Sequence, residues 1–99
     1  MKVVFRPEAR LEALAAQNWF EKRSPGLGFD FARAVEASVA QVQRNPEGFR
    51  PIEMGCRRIA LRRFPYALIY RLRGDELLIV SVFHHRRHPD HWQSRISVV

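Results

Sequence analysis

Cysteine, lysine and long apolar runs are all scarce in this 99-residue chain. Cys56 is the only cysteine, so no intramolecular disulfide and no thiol metal cluster can form, and it reads as a small buried strand residue. No stretch approaches the roughly 20 apolar residues that a membrane span needs. The opening MKVVFRPEAR is charged at once and has only a short apolar run, which does not resemble a secretory leader. A cytoplasmic location is therefore expected. No internal repeat or low-complexity tract breaks the chain, and its length suits one domain spanning residues 1–99 with a single core.

The charge that is present is of one kind. The net charge is +7, and Lys2 and Lys22 are the only lysines among the 17 cationic residues. Arginine's planar fork pairs bidentately with carboxylate or phosphate, so the bias favours a defined anionic partner over diffuse solubility. Charge alone does not choose between a nucleic acid and an acidic protein surface.

The most concentrated signal is Leu77 to Arg95, LLIVSVFHHRRHPDHWQSR, which holds all four histidines. Its apolar half reads as a strand buried on both faces and central in its sheet. Its polar half begins at His84, and Pro89 closes the ladder.

Punctuation and period place the other elements. Lys2–Arg6 is a short strand ended by Pro7, which also suits the first turn of a helix. Leu11, Leu14, Ala15, Asn18 and Trp19 recur at helical spacing, predicting a helix that ends near Lys22 or Arg23. Ser24–Gly28 is a break. Phe31, Val35, Val39 and Val42 mark a second helix ending at Asn45–Pro46, so the two form an antiparallel hairpin. Pro46–Gly55 is expected to be irregular. Strands follow at Cys56–Arg63, at Tyr66–Leu72 after a Phe64–Pro65 turn, and at Glu76–Phe83 after a tight Gly74–Asp75 hairpin. Pro89–Arg95 is a short helical turn or loop. The order β-α-α-β-β-β indicates an α+β fold with the helical hairpin on one face of a mostly antiparallel sheet. The other face and the sheet edge are expected to carry arginines.

With these elements placed, the chain resembles the RelE/ParE superfamily, the toxins of type II toxin–antitoxin modules, and within it the ParE-like, plasmid-stabilisation branch. The resemblance runs through Ala15 and Trp19–Phe20, Gly26–Leu27–Gly28 with Phe31, and Asn45–Pro46. It continues through Arg57–Arg58, Arg63–Phe64–Pro65–Tyr66 and Ile69–Tyr70. It ends in Phe83–His84–His85–Arg86–Arg87 with Pro89, Trp92 and Arg95. The Arg-Phe-Pro-Tyr turn and the tail are the specific parts, and His88 departs from an often acidic position. The resemblance implies a small RelE/ParE-like domain and a partner antitoxin, encoded beside the toxin, whose C-terminal segment wraps it. ParE-like relatives are associated with inhibition of DNA gyrase, and RelE-like relatives with cleavage of mRNA on the ribosome.

The residues leave three functions open. The first is a toxin acting by protein binding, with an antitoxin acidic in its C-terminal segment. Its contact residues would be Arg58, Arg62, Arg63, Tyr70, Arg71, Arg86, Arg87, Trp92 and Arg95, with Trp19, Phe20 and Leu27 as an apolar groove. The second is an endoribonuclease using His84 or His85 for proton transfer, with Arg62 or Arg86 on the phosphate. Against it, no Tyr, Lys or Glu stands in the tail to assist. The third is a basic RNA-binding domain without toxicity. Each residue also has a plainer role: His84 as a cap of the strand end, Trp92 packed back on the sheet, Arg95 as surface charge, and Phe20, Phe29 and Leu27 as core. No cofactor is expected and no metal site: Pro89 breaks the His85–His88–His91 spacing, and the arginines around it repel a cation.

Overall fold

Proline and glycine set the limits of the helical half. In the computed structural model, which describes residues 1–97, β1 (Lys2–Phe5) gives way at Pro7 to α1 (Pro7–Arg23). Pro7 stands where the missing N–H is harmless, Glu8 meets the positive end of the helix, and Lys22 and Arg23 meet the negative end. The reversal into α2 (Leu27–Arg44) is made by Gly26 at φ 89°. The Glu21 carboxylate then accepts hydrogen bonds from the backbone N–H groups of Gly26 and Gly28, at 3.0–3.1 Å, capping the new helix from the old one. At Gly28 the two helices touch so closely that a Cβ would lie 2.6 Å from the Gln17 carbonyl oxygen.

The sheet has five strands, ordered β1-β5-β4-β3-β2, with β2 at Arg50–Pro51, β3 at Cys56–Ala60, β4 at Tyr66–Arg73 and β5 at Glu76–His84. β1 pairs parallel with β5, and every other pairing is antiparallel. β5 is thus interior, as its apolar run predicts, and the fold is the expected α+β arrangement. The β4–β5 hairpin turns on two residues, with Gly74 at φ 63° in the position that demands it.

Three boundaries differ from the sequence reading. The connection 46–55 contains β2 and a single tight turn at Glu53–Gly55. β3 stops at Ala60 instead of Arg63, because the Leu61 N–H bonds the Tyr66 carbonyl and Arg63 adopts φ 70° in the reversal. The tail is a true helix, α3 (Asp90–Ser97).

Both faces of the sheet carry a core. The hairpin covers Ile59, Leu68, Tyr70, Leu77, Ile79 and Val82, and contributes Ala9, Ala16, Phe31, Val35 and Val42. Within it Phe20, Phe31, Phe64 and Tyr66 form a cluster with ring centroids 4.9–6.1 Å apart. The Tyr70 hydroxyl is spared from burial without a partner by donating to the Pro46 carbonyl at 2.7 Å. The second face holds Cys56, Ile69, Leu78, Val80, Phe83 and Trp92, closed by Ile52 and Ile96. That face was expected to be left to arginines; its centre is instead apolar and roofed by the tail.

The register steps from Ile69↔Ser81 to Tyr70↔Ile79, leaving Val80 as an extra residue on β5. The bulge resets the alternation, so Leu77, Ile79 and Val82 face the hairpin while Leu78, Val80 and Phe83 face the tail.

Candidate functional site

Helix α1 is apolar on more than its buried side. Leu11 is 67% exposed, Leu14 52% and Trp19 51%, all on the helix that also buries Ala9 and Ala16 against the core. A single-sided helix of a small domain would carry polar groups there. Apolar exposure of this kind is a common property of surfaces that meet a partner.

Grooves flank the ridge. On one side, a depression of about 410 Å³ runs between α1 and α2 past Leu14, Ala13, Phe31 and Val35. On the other, a groove of about 460 Å³ lies between α1 and the upper ends of β4 and β5, with Ala15, Trp19, Phe20 and Tyr66 in its walls and His84 and Arg87 at its polar end. Arg23 stacks over the Trp19 ring at 4.2 Å, and Arg33 lies 5.6 Å from the exposed Phe29 ring. An apolar ridge fringed by guanidiniums suits a protein segment that carries both apolar and acidic side chains.

The floor of the second groove ends in a buried ion pair. Glu12 and Arg95, each 12% exposed at the side chain, form a two-pronged pair at 2.9 and 3.0 Å. Glu12 also accepts from the Ser81 hydroxyl at 2.9 Å and the Val82 N–H at 3.1 Å, and Arg95 donates to the Val80 carbonyl at 2.8 Å. The Val82 N–H and the Val80 carbonyl are backbone groups around the bulge, beyond the point where β1 has ended at Phe5↔Ile79. Two side chains thus do there what a neighbouring strand would do. Arg87 adds a longer contact to Glu12 at 3.9 Å.

His84 continues the strand but does not point a free base at the groove. Its Nδ1 accepts the Arg86 N–H at 3.0 Å, and its ring meets Tyr66 edge-on at 4.9 Å. Burial lowers its pKa from the ordinary histidine value, and the nearby charges of Arg86, His85 and Arg87 lower it further. Burial likewise raises the Tyr66 hydroxyl and the Cys56 thiol, so neither is an ionised nucleophile at neutral pH.

The structure separates the residues that the sequence grouped. His84 and Arg87 line the groove beside α1, whereas Arg62 lines two others with Arg44, Arg33 and Arg63 on the α2 side. His85 and Arg86 are exposed beyond the strand end. Arg58 and Arg71 lie on the tail face, in register with Ile69 and Cys56 of that core. Arg63 makes a loose pair with Asp30 at 3.7 Å.

Three expected contact residues prove to be internal. Tyr70 is fully buried, Trp92 closes the tail core, and Arg95 is no surface charge but half of a shielded pair. Phe20 and Leu27 are partly buried against the hairpin core, and Trp19 alone of that set is open. Glu12, Leu11 and Leu14, which the geometry brings into the site, were not among the residues singled out from the sequence. The signal for Glu12 was Ser81, a lone polar residue in an apolar strand, which needs a partner when buried. His88 bonds Asp90 through Nδ1, and among the described residues no three of His, Cys, Asp and Glu gather as a metal would require. No described helix is long and apolar enough to cross a membrane.

Comparison with known proteins agrees with this architecture. A solved chain of the chromosomal ParDE toxin–antitoxin system from P. aeruginosa superposes with a TM-score of 0.64 at 23% identity, covering 85% of this chain and 95% of that one. No curated protein matches the sequence. The profile of the ParE toxin of the type II parDE system matches residues 3–89, from β1 through the histidine–arginine cluster. The chain therefore belongs to the ParE toxin family of type II toxin–antitoxin systems.

Proposed function

We propose that this toxin arrests growth by binding a protein target, DNA gyrase, in the cytoplasm. A small antitoxin encoded beside it neutralises it by laying an acidic, partly apolar C-terminal segment along α1. The observation that carries the reading is the exposed ridge of Leu11, Leu14 and Trp19, with a groove on each side and arginines around it. Such a surface takes a peptide by burying apolar side chains while its cations read the acids between them. The family and the fold support a toxin with such a partner, and gyrase follows the ParE branch.

The geometry favours binding over RNA cleavage. His84 has its Nδ1 engaged and shares a groove with Arg87, while Arg62 faces the opposite side of the molecule's helical layer. A catalytic pair must converge on one phosphate.

The deciding experiment expresses the chain with and without its neighbouring gene, scoring growth, plasmid supercoiling and transcript ends together. Growth arrest with altered supercoiling and intact transcripts is expected. New ribosome-dependent transcript ends would replace this reading with the nuclease one, and unimpaired growth would favour a non-toxic RNA-binding domain. In purified protein, Leu14→Glu is expected to weaken antitoxin binding while leaving the melting temperature unchanged.

A further inference from the structure

We propose that Arg50 and Arg58 form a fork for a single carboxylate on the tail face of the sheet, and that its occupant is an acidic side chain of the antitoxin. This rests on the antitoxin reading above and adds a second contact region to it, across the sheet from α1.

The two arginines are directly opposed in the β2–β3 register. Opposed residues of an antiparallel pair hold their side chains side by side, and like charges in that position repel. Neither guanidinium has an ion-pair or hydrogen-bond partner among the described residues. The contrast with Arg57 is direct. That residue is next to Arg58 in β3 but in register with Tyr70 of the hairpin face, and it clamps the Glu47 and Phe49 carbonyls at 3.0 and 2.8 Å. The acid nearest at hand, Glu53, is turned to the tail and accepts from Gln93 at 2.7 Å. Two unneutralised arginines set against each other on a two-residue edge strand repel, and an anion between them turns that repulsion into attraction.

The surroundings choose the kind of anion. Arg50 and Arg58 line a groove of about 160 Å³ between the β2–β3 edge and α3, floored by Ile69, Phe83 and Trp92. That volume is on the scale of one side chain. Its apolar floor lowers the local dielectric and strengthens a two-pronged guanidinium–carboxylate pair. Glu53 on the same rim repels any anion, and a phosphodiester chain, whose neighbouring phosphates add to the repulsion, more than one isolated acid. The chemistry fits an extended protein segment with an acidic residue beside a hydrophobic one.

Calorimetry with the purified toxin and the protein encoded beside it tests the fork, using Arg50→Gln, Arg58→Gln and the double variant. Each single change is expected to raise Kd by roughly 10- to 100-fold, the range for a hydrogen bond to a charged group, with the double change costing less than the sum. The melting temperature of the free toxin should hold or rise in each variant, because a repulsion is removed. Equal affinity of all variants for an antitoxin that does bind the wild type overturns the fork. A lowered melting temperature also overturns it, in favour of a structural role. Failure of the wild type to bind that protein overturns the antitoxin reading instead. A single-stranded oligonucleotide whose binding requires both arginines replaces the carboxylate with phosphate and overturns the proposal as stated.

Discussion

The two faces of the sheet reach the same end by different means. Under the hairpin, a wide core of aromatic and aliphatic side chains from two long helices closes one face, and its few polar groups, such as the Tyr70 hydroxyl, are incidental to it. On the tail side, an eight-residue helix covers five buried residues of the sheet through one aromatic, Trp92, and is tied down by one ion pair, Arg95 with Glu12. A helix of that length does not persist in water by itself. Its structure depends on where its side chains land. The hairpin face is therefore held by area, and the tail face by a small number of specific contacts.

Substitutions should separate the two. Phe31→Ala removes the ring at the centre of the aromatic cluster and is expected to cost about 3–5 kcal/mol, felt as global unfolding in a denaturant titration. Trp92→Ala deletes a comparable buried ring, but the tail can come away without opening the hairpin, so about 3 kcal/mol is the ceiling expected. Amide exchange tells them apart: Trp92→Ala should expose residues 90–97 while leaving α2 protected. Equal loss of protection in both would mean that the faces are one cooperative unit.

Glu12→Gln tests the latch itself. It leaves the Arg95 guanidinium, at 12% exposure, without a counter-charge and weakens the cap on Ser81 and Val82. Breaking a shielded pair from one side costs about 2–3 kcal/mol once partial exposure is allowed for. A double-mutant cycle with Arg95→Met should show clear positive coupling, since removing both partners leaves no orphaned charge. Additive effects would reduce the pair to a bystander. Tyr70→Phe belongs to the other face and should cost less, about 1–2 kcal/mol, by orphaning the Pro46 carbonyl. It should not alter tail protection.

The elements of the hairpin face were legible in the sequence because each had a local cause. Pro7, Gly26 and Asn45–Pro46 bound the helices, and Phe31, Val35 and Val42 step along one side of α2. The tail face was not legible for reasons equally physical. The bulge at Val80 lies in Leu77–Phe83, where residues on both faces are apolar and no alternation exists to be interrupted. β2 is two residues long and exists only because β3 pairs with it. Whether an arginine is solvated or buried depends on a carboxylate 83 residues away, as Arg95 with Glu12 demonstrates. The exposed ridge of α1 was half legible. Trp19 stood out by type, whereas Leu11 and Leu14 served only to mark helical spacing, because apolar residues on several sides of a helix do not announce which side it buries.

His84 stands where β5 ends and the chain departs for the tail, and it gives the smallest of the expected effects. Its pKa in the folded protein lies below the ordinary 6.5, chiefly through burial and then through Arg86, His85 and Arg87. The unfolded chain therefore binds the proton more readily than the native one. The neutral ring's contribution is complete above about pH 6.5 and is lost as the pH falls through that value towards the lowered native one. Protonation would also remove Nδ1 as acceptor for the Arg86 N–H. Denaturation midpoints between pH 7.5 and 5 should thus decline for the wild type, with a slope no greater than that of roughly one proton. His84→Asn, whose amide oxygen can take the place of Nδ1, should flatten that decline without lowering stability at pH 7.5. A slope that survives the substitution would move the titration elsewhere in the tail. A slope that disappears would mean that acid loosens the junction between strand and tail before it disturbs the aromatic core.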